Sequence, residues 1–170
     1  MAITVDATVG GENANSYIDV ATADQIAEFR QLTFATWSAL SADQKGAALI
    51  SASQYFDSLR WKGVRTAELQ ALRWPRSGVY DQDGYMIADD VIPGDVQEAL
   101  TDFAYTISQS DQFQATGLEG FSEIKVDVVS LKLDASDRDS AIPDRILDRI
   151  DYLIQGRAGG SIGSAEVLRA

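Results

Sequence analysis

The sequence predicts a mainly α chain: a bundle of about four helices carrying an extended arm or hairpin insertion, a small β-hairpin and a flexible C-terminal tail. Three observations predict it. Apolar side chains recur at helical spacing in three stretches: Leu49, Ala52 and Phe56; then Val96, Leu100, Phe103 and Ile107; then Ile146, Leu147, Ile150, Leu153 and Ile154. Between the first two, over residues 60–93, large side chains are frequent and the helical period is lost. Over 123–133 apolar residues alternate, as strands require. With 170 residues, 45% of them hydrophobic, the chain is long enough for one domain with a genuine core, expected over 1–156 and followed by a tail at 157–170.

Taken in order, residues 3–9 alternate loosely and are expected as a short strand or ordered arm, and Gly10-Gly11 with Asn13-Ala14-Asn15 is turn chemistry. Tyr17 and Ile18 are expected to dock on the core. Thr22 and Gln25 have capping-box spacing, with Ile26 and Phe29 on one face of a short helix ending near Gln31. Phe34, Trp37 and Leu40 bridge to a second helix, which Ser41 and Gln44 cap and whose stripe ends at Leu59. Pro93 suits the first turn of the next helix, where a missing N–H is harmless, and Asp95 and Glu98 suit its positive end. Opposite its stripe, Gln97, Thr101 and Ser108 should face water or a neighbouring subunit, and residues 112–120 form a loop.

The alternation over 123–133 changes parity at Val128-Val129, so two short strands joined as a hairpin fit better than one straight strand. Residues 134–140 read as a solvated loop. Pro143 opens the last helix and Gly156 stops it; Asp144, Arg145, Asp148, Arg149 and Asp151 form its exposed face. Residues 157–170 are a Gly/Ser-rich spacer with a short apolar-basic tip, expected to be disordered alone.

Composition narrows the chemistry. There is no cysteine, hence no disulfide, thiolate or cysteine metal site, and no histidine, hence no Ser-His-Asp triad or imidazole-ligated zinc. Catalysis, a metal and a cofactor are therefore not expected. The five carboxylates Asp57, Asp81, Asp83, Asp89 and Asp90 could supply a glycosidase-like pair, but acids are too frequent here for their proximity to mean much. Asp81-Gln82-Asp83-Gly84 places its glycine too early for a calcium loop and reads as the turn of a small hairpin between Val79-Tyr80 and Tyr85-Met86-Ile87. The start lacks a basic, apolar secretory pattern and no window approaches the ~18 apolar residues of a membrane span, so a soluble protein without membrane contact is expected.

The arm concentrates charge of the minority sign. Arg60, Lys62, Arg65, Arg73 and Arg76 share residues 60–76 with Glu68 as the only acid, in a chain of formal net charge -12. Trp61 and Trp74 lie among them. The runs Leu59-Arg60-Trp61-Lys62-Gly63 and Leu72-Arg73-Trp74-Pro75-Arg76-Ser77-Gly78-Val79-Tyr80-Asp81, the Ile92-Pro93 before a helix, and Asn13-Ala14-Asn15-Ser16-Tyr17 near the start resemble the tailed-phage head–tail connector family, also called head completion or adaptor proteins. Some of its members carry the label putative DnaT-like single-stranded-DNA-binding protein. The anchors span roughly the first two thirds of the chain; element order carries the rest.

That resemblance implies a virion structural subunit in the neck, at the head–tail interface, assembled in the host cytoplasm. It implies a homo-oligomeric ring, a dodecamer, under the portal protein and above a tail stopper or tail-tube component. Genomic DNA would pass through it during packaging and ejection without sequence-specific binding. The acidity of the chain suits such a conduit, since an acidic lumen repels the duplex. The tail after Gly156 would order on the portal, with Ile162, Val167, Leu168 and Arg169 as docking candidates.

Three readings compete for the basic arm. In ring assembly, Arg60, Trp61, Lys62, Arg65, Arg73, Trp74, Arg76 and Tyr80 would pack on an acidic face of the next subunit, and replacing Arg73 and Arg76 should harm assembly more than folding. As a single-stranded-DNA module, the alternative function, Trp61, Trp74 and Tyr80 would stack on bases while the cations track phosphates. In the third reading both tryptophans fill a satellite core beneath a long loop.

Overall fold

The computed structural model describes residues 3–109, 123–126, 129–132 and 142–156. The chain is mainly helical. Its helices are α1 (Val20–Phe29), α2 (Gln31–Ser38), α3 (Ala42–Asp57), α4 (Gly94–Gln109) and α5 (Asp144–Ile150), the last running into a 3-10 turn at Asp151–Leu153. Between α3 and α4 the two-residue strands β1 (Val64–Arg65) and β2 (Arg76–Ser77) pair antiparallel. The expected hairpin over 123–133 is present as β3 (Glu123–Val126) and β4 (Val129–Lys132), antiparallel, with Glu123 opposite Lys132 and Val126 opposite Val129. The tail, the loop at 112–120 and the 134–140 cluster lie outside the described residues.

Helix α3 is the centre of the core. Its capping box forms as read, Ser41 Oγ accepting from Gln44 N and Gln44 Oε1 accepting from Ser41 N. Leu49, Ala52 and Phe56 then face inward and are fully buried. Helix α4 lies against α3: Phe103 stacks on Phe56 with ring centroids 6.1 Å apart and meets Tyr55 edge-on at 5.5 Å. Ile146, Leu147, Ile150, Leu153 and Ile154 close the core from the C-terminal side, all of them buried.

Several expectations need correction. The described residues form five helices, one short helix more than the four or so expected, because the chain breaks at Arg30 (φ -109°, ψ 81°), whose guanidinium is drawn to Glu98 and Asp102 of α4, and then re-enters a helix at Gln31. The supposed bridge around Trp37 is therefore mostly α2. Trp37 is fully buried there, donates from Nε1 to Asp24 Oδ1 at 2.8 Å, and has Lys45 Nζ 5.8 Å over its ring. Asp19, three residues ahead of Thr22, caps α1 by accepting from the Thr22 N–H at 2.7 Å, so the box predicted at Thr22 starts one turn late. Of the two forms expected for residues 3–9, they take the ordered arm and not the strand; Asn15 holds them, receiving the Asp6 N–H on Oδ1 and donating Nδ2 to Thr4 O.

Thr101 is buried rather than outward-facing, its hydroxyl returned to Gln97 O one turn back. Phe29 does not share the inward face of α1: it is 89% exposed, whereas Ile26 is half-buried. On α5, Arg149 of the expected solvent face reaches Glu98, whose Oε2 thereby meets both Arg30 and Arg149.

Candidate nucleic-acid or subunit interface in the 60–93 arm

The arm begins where α3 ends. Trp61 Nε1 donates to Phe56 O at 2.8 Å, turning the chain back over the last turn of α3. The C-terminal segment then clamps the arm's base: Lys62 N donates to Leu153 O at 2.8 Å, Gln155 N to Arg60 O at 2.6 Å, and Lys62 Nζ to Tyr152 O at 2.7 Å. Gly63 (φ +69°) lets the backbone pass the β2 end, where a Cβ would stand 2.4 Å from Ser77 O. Only glycine fits there.

Three polar side chains fold the loop between β1 and β2 inward. Arg76 Nε donates to Lys62 O at 2.6 Å, one terminal nitrogen to Gly63 O at 2.6 Å and Trp61 O at 3.4 Å, and the other to Arg73 O at 3.1 Å. Burial and the neighbouring Arg73 lower its pKa from the ordinary arginine value, yet guanidinium stays charged at any physiological pH. Gln70, 2% exposed, accepts from Ala67 N and donates to Leu72 O and Pro75 O. Asp57 Oδ1 accepts both the Tyr17 hydroxyl and Arg73 N, tying the opening segment and the arm to the end of α3. Burial, and then the charge of Asp57, push the Tyr17 pKa far up, so the hydroxyl stays protonated and donates.

The tryptophans lie inside. Trp61 is 4% exposed and Trp74 1%, packed edge-to-face at 5.6 Å beneath the arm. Trp74 precedes Pro75 through a cis peptide bond, and its Nε1 has no acceptor among the described residues, so the ring is held by apolar contact. Burying an aromatic side chain removes about 150–250 Å² from water, roughly 4–6 kcal/mol at about 25 cal/mol per Å². Stacking on a base returns only about 1–3 kcal/mol. Neither ring would leave its place to bind a strand.

The predicted site residues thus divide. Trp61, Trp74 and Arg76 form the arm's interior. Arg60, Lys62, Arg65, Arg73 and Tyr80 keep exposed side chains; of these Lys62 and Arg65 also bond backbone carbonyls within the chain, Arg65 through Gln70 O at 3.1 Å. Ile162, Val167, Leu168 and Arg169 lie outside the described residues. Residues 79–87 form the expected hairpin, Tyr80 opposite Met86, with Gly84 at φ +86°.

The sequence names Asp57 only as one of five carboxylates and Gly63 only within the 59–63 run, and points neither to their structural roles nor to Gln70 or the β1–β2 ladder. The Trp74-Pro75 pair and the isolated Gly63 were the available signals; nothing marks Gln70. Among the described residues no group of three or more Asp or Glu is placed to hold a metal ion, and no helix is long and apolar enough to cross a membrane.

The arm exposes several large apolar side chains. Of the nine that the described residues expose, six belong to residues 64–91: Val64, Leu69, Tyr80, Tyr85, Met86 and Val91. Residues 60–76 carry a net +4, which leaves -16 for the rest of the chain. Asp81, Asp83, Asp89 and Asp90 bring the whole arm, 60–93, to zero net charge, and four of the six exposed apolar side chains stand in that acidic part.

A family model described as "Putative DnaT-like ssDNA binding protein" matches residues 1–170. The chain belongs to this family. The match spans the arm and the helices that carry it. Neither a curated protein nor a solved structure matches the chain.

Proposed function

We propose that this member of the DnaT-like family is an assembly subunit whose copies join head to tail into a ring, the head–tail connector of a tailed phage. The observation that carries the proposal is the arm, which holds six of the nine large apolar side chains exposed among the described residues and a basic stretch at 60–76 on a chain of net charge -12. A monomer seldom leaves apolar side chains gathered on one segment, and arginine with tyrosine is a favoured interface pairing. Basic and acidic surfaces kept apart on one subunit complement each other in a head-to-tail contact, which closes into a cyclic oligomer when its rotation permits. The resemblance of the 13–17 and 59–81 runs to connector proteins supplies the setting: a dodecamer between the portal and the stopper or tail, passing DNA.

A second reading, single-stranded-DNA binding, is favoured by the family's description and by the exposed Arg60, Arg65, Arg73, Tyr80 and Tyr85. Against it stand the two buried tryptophans and the acids Asp81 and Asp83 beside Tyr80. The two are separated by measuring mass by light scattering across concentration and salt, together with anisotropy of a labelled oligonucleotide. All three tryptophans are buried, so their quenching would report binding poorly. Concentration-dependent assembly without oligonucleotide binding supports the ring; a persistent monomer that binds the strand, with affinity falling as salt rises, replaces it with the DNA-binding module.

A further inference from the structure

The β1–β2 ladder sets two arginines face to face. Arg65 stands directly opposite Arg76. Residues so paired have Cβ atoms about 4.5–5.5 Å apart on one face of the ladder, where like charges repel. Arg73 joins them, since Arg76 donates to its carbonyl oxygen at 3.1 Å. Burial first, then the charges of Arg73 and Arg65, lower the pKa of Arg76, and Tyr17, whose ionised form would oppose this, stays protonated. Three guanidinium groups are thus gathered in one part of the arm.

Their charge is not neutralised from within. Among the described residues none of the three makes an ion pair. Asp57 meets the backbone N–H of Arg73 and not its guanidinium, and Glu68 and Asp89, both exposed, pair with none of them. The carbonyls around Arg76 satisfy its hydrogen bonds but carry no net charge, and they take four bonds from its five N–H groups. Arg76 can lend an incoming anion its charge and little else. The groups free to bond are those of Arg65 and Arg73. Arg65 is steadied by Gln70 O at 3.1 Å, and Gln70 is itself buried and bonded to the Leu72 and Pro75 carbonyls. The Arg73 side chain is exposed and makes no hydrogen bond or ion pair among the described residues.

Guanidinium forks match carboxylate and phosphate oxygens alike. The number of cations decides between them. A carboxylate or a phosphodiester brings one charge and two free oxygens, whereas a free or terminal phosphate brings about 1.5–2 charges and three acceptor oxygens, enough to meet two forks at once. We propose that Arg65 and Arg73, backed by the charge of Arg76, form a binding site for a phosphate dianion, either the free ion or the terminal group of a monoester. The site goes beyond the assembly reading and stands or falls without it.

Inorganic phosphate is titrated into the full chain at fixed ionic strength and followed by calorimetry, with thermal melts in parallel. Binding should saturate, and phosphate at about tenfold above Kd should raise the melting midpoint by about 2–4 °C. Arg73→Gln and Arg65→Gln should each weaken phosphate about tenfold or more with an unchanged circular dichroism spectrum, while Arg60→Gln, outside the cluster, should not. Glycerol phosphate that binds as tightly as the free ion extends the site to monoesters; much weaker binding confines it to inorganic phosphate. Acetate or an unphosphorylated oligothymidylate that competes as strongly as phosphate overturns the assignment, in favour of a carboxylate or a strand backbone. Absence of saturable binding also overturns it. So does equal stabilisation of wild type and Arg73→Gln by phosphate, which is general exclusion of the ion from the protein surface.

Discussion

Arg76 shows at the scale of one residue how a sequence feature can mislead and still be essential. In the chain it reads as one more cation of a surface patch; in the fold it is 8% exposed and hydrogen-bonds to four backbone carbonyls. A charged donor bonded to buried carbonyls is worth more than a surface ion pair, and removing it leaves those acceptors unsatisfied. Arg76→Lys should therefore lower stability by about 2–4 kcal/mol in urea titrations, since an ammonium cannot span the same carbonyls. Arg73→Ala, whose side chain is exposed, should change stability by less than about 0.5 kcal/mol. The assembly test of the basic face therefore belongs to Arg65 and Arg73; replacing Arg76 reports on folding.

Elements depend on ends and tight passages more than on their middles. Gly63→Ala would force a Cβ to 2.4 Å from a backbone carbonyl oxygen at positive φ, and should cost about 2–4 kcal/mol. Gly84 also has positive φ but open space around it, so Gly84→Ala should cost only the left-handed penalty of about 1–2 kcal/mol. Parallel thermal melts of the two variants check the difference. At the start of α1, the Thr22 N–H holds the Asp19 carboxyl below its usual pKa. A depressed carboxylate stabilises the fold above its unfolded pKa, and that contribution is lost as pH falls through the lower folded value. Asp19→Asn, which keeps a capping oxygen but cannot titrate, should flatten the stability profile below about pH 4; Asp19→Ala should lose about 1 kcal/mol at neutral pH. Denaturant midpoints between acid and neutral pH decide both.

Element boundaries were legible wherever periodicity and caps agreed. Leu49, Ala52 and Phe56 with the Ser41 box gave α3, and the parity change near Val128 gave the β3–β4 hairpin. The α1–α2 break was not legible, because it is made by Arg30 reaching Glu98 and Asp102, 68 and 72 residues away. The arm was located correctly as a non-helical segment rich in tryptophan and arginine. Which of its residues face inward was hidden, since that depends on Gly63, Gln70 and Arg76 meeting carbonyls that no local pattern announces.

For the molecule as a whole, the basic stretch at 60–76 on a chain of net charge -12 bears on how copies would meet. If oppositely charged faces bring copies together, raising salt from about 0.05 to 0.5 M shortens the screening length severalfold and should weaken association, measurable as falling mass by light scattering. Association that strengthens with salt would instead place the driving force in the exposed apolar side chains alone.

The clamp on the arm's base has a temporal meaning as well. Protein synthesis delivers residues 60–62 long before 152–155, the segment whose backbone groups hold them. While the chain is still being made, the arm can possess its loop and its tryptophans but not its anchorage. On the assembly reading proposed above, the arm's face is complete only once residues 152–155 have been made, which would keep unfinished chains on one messenger from joining one another too early.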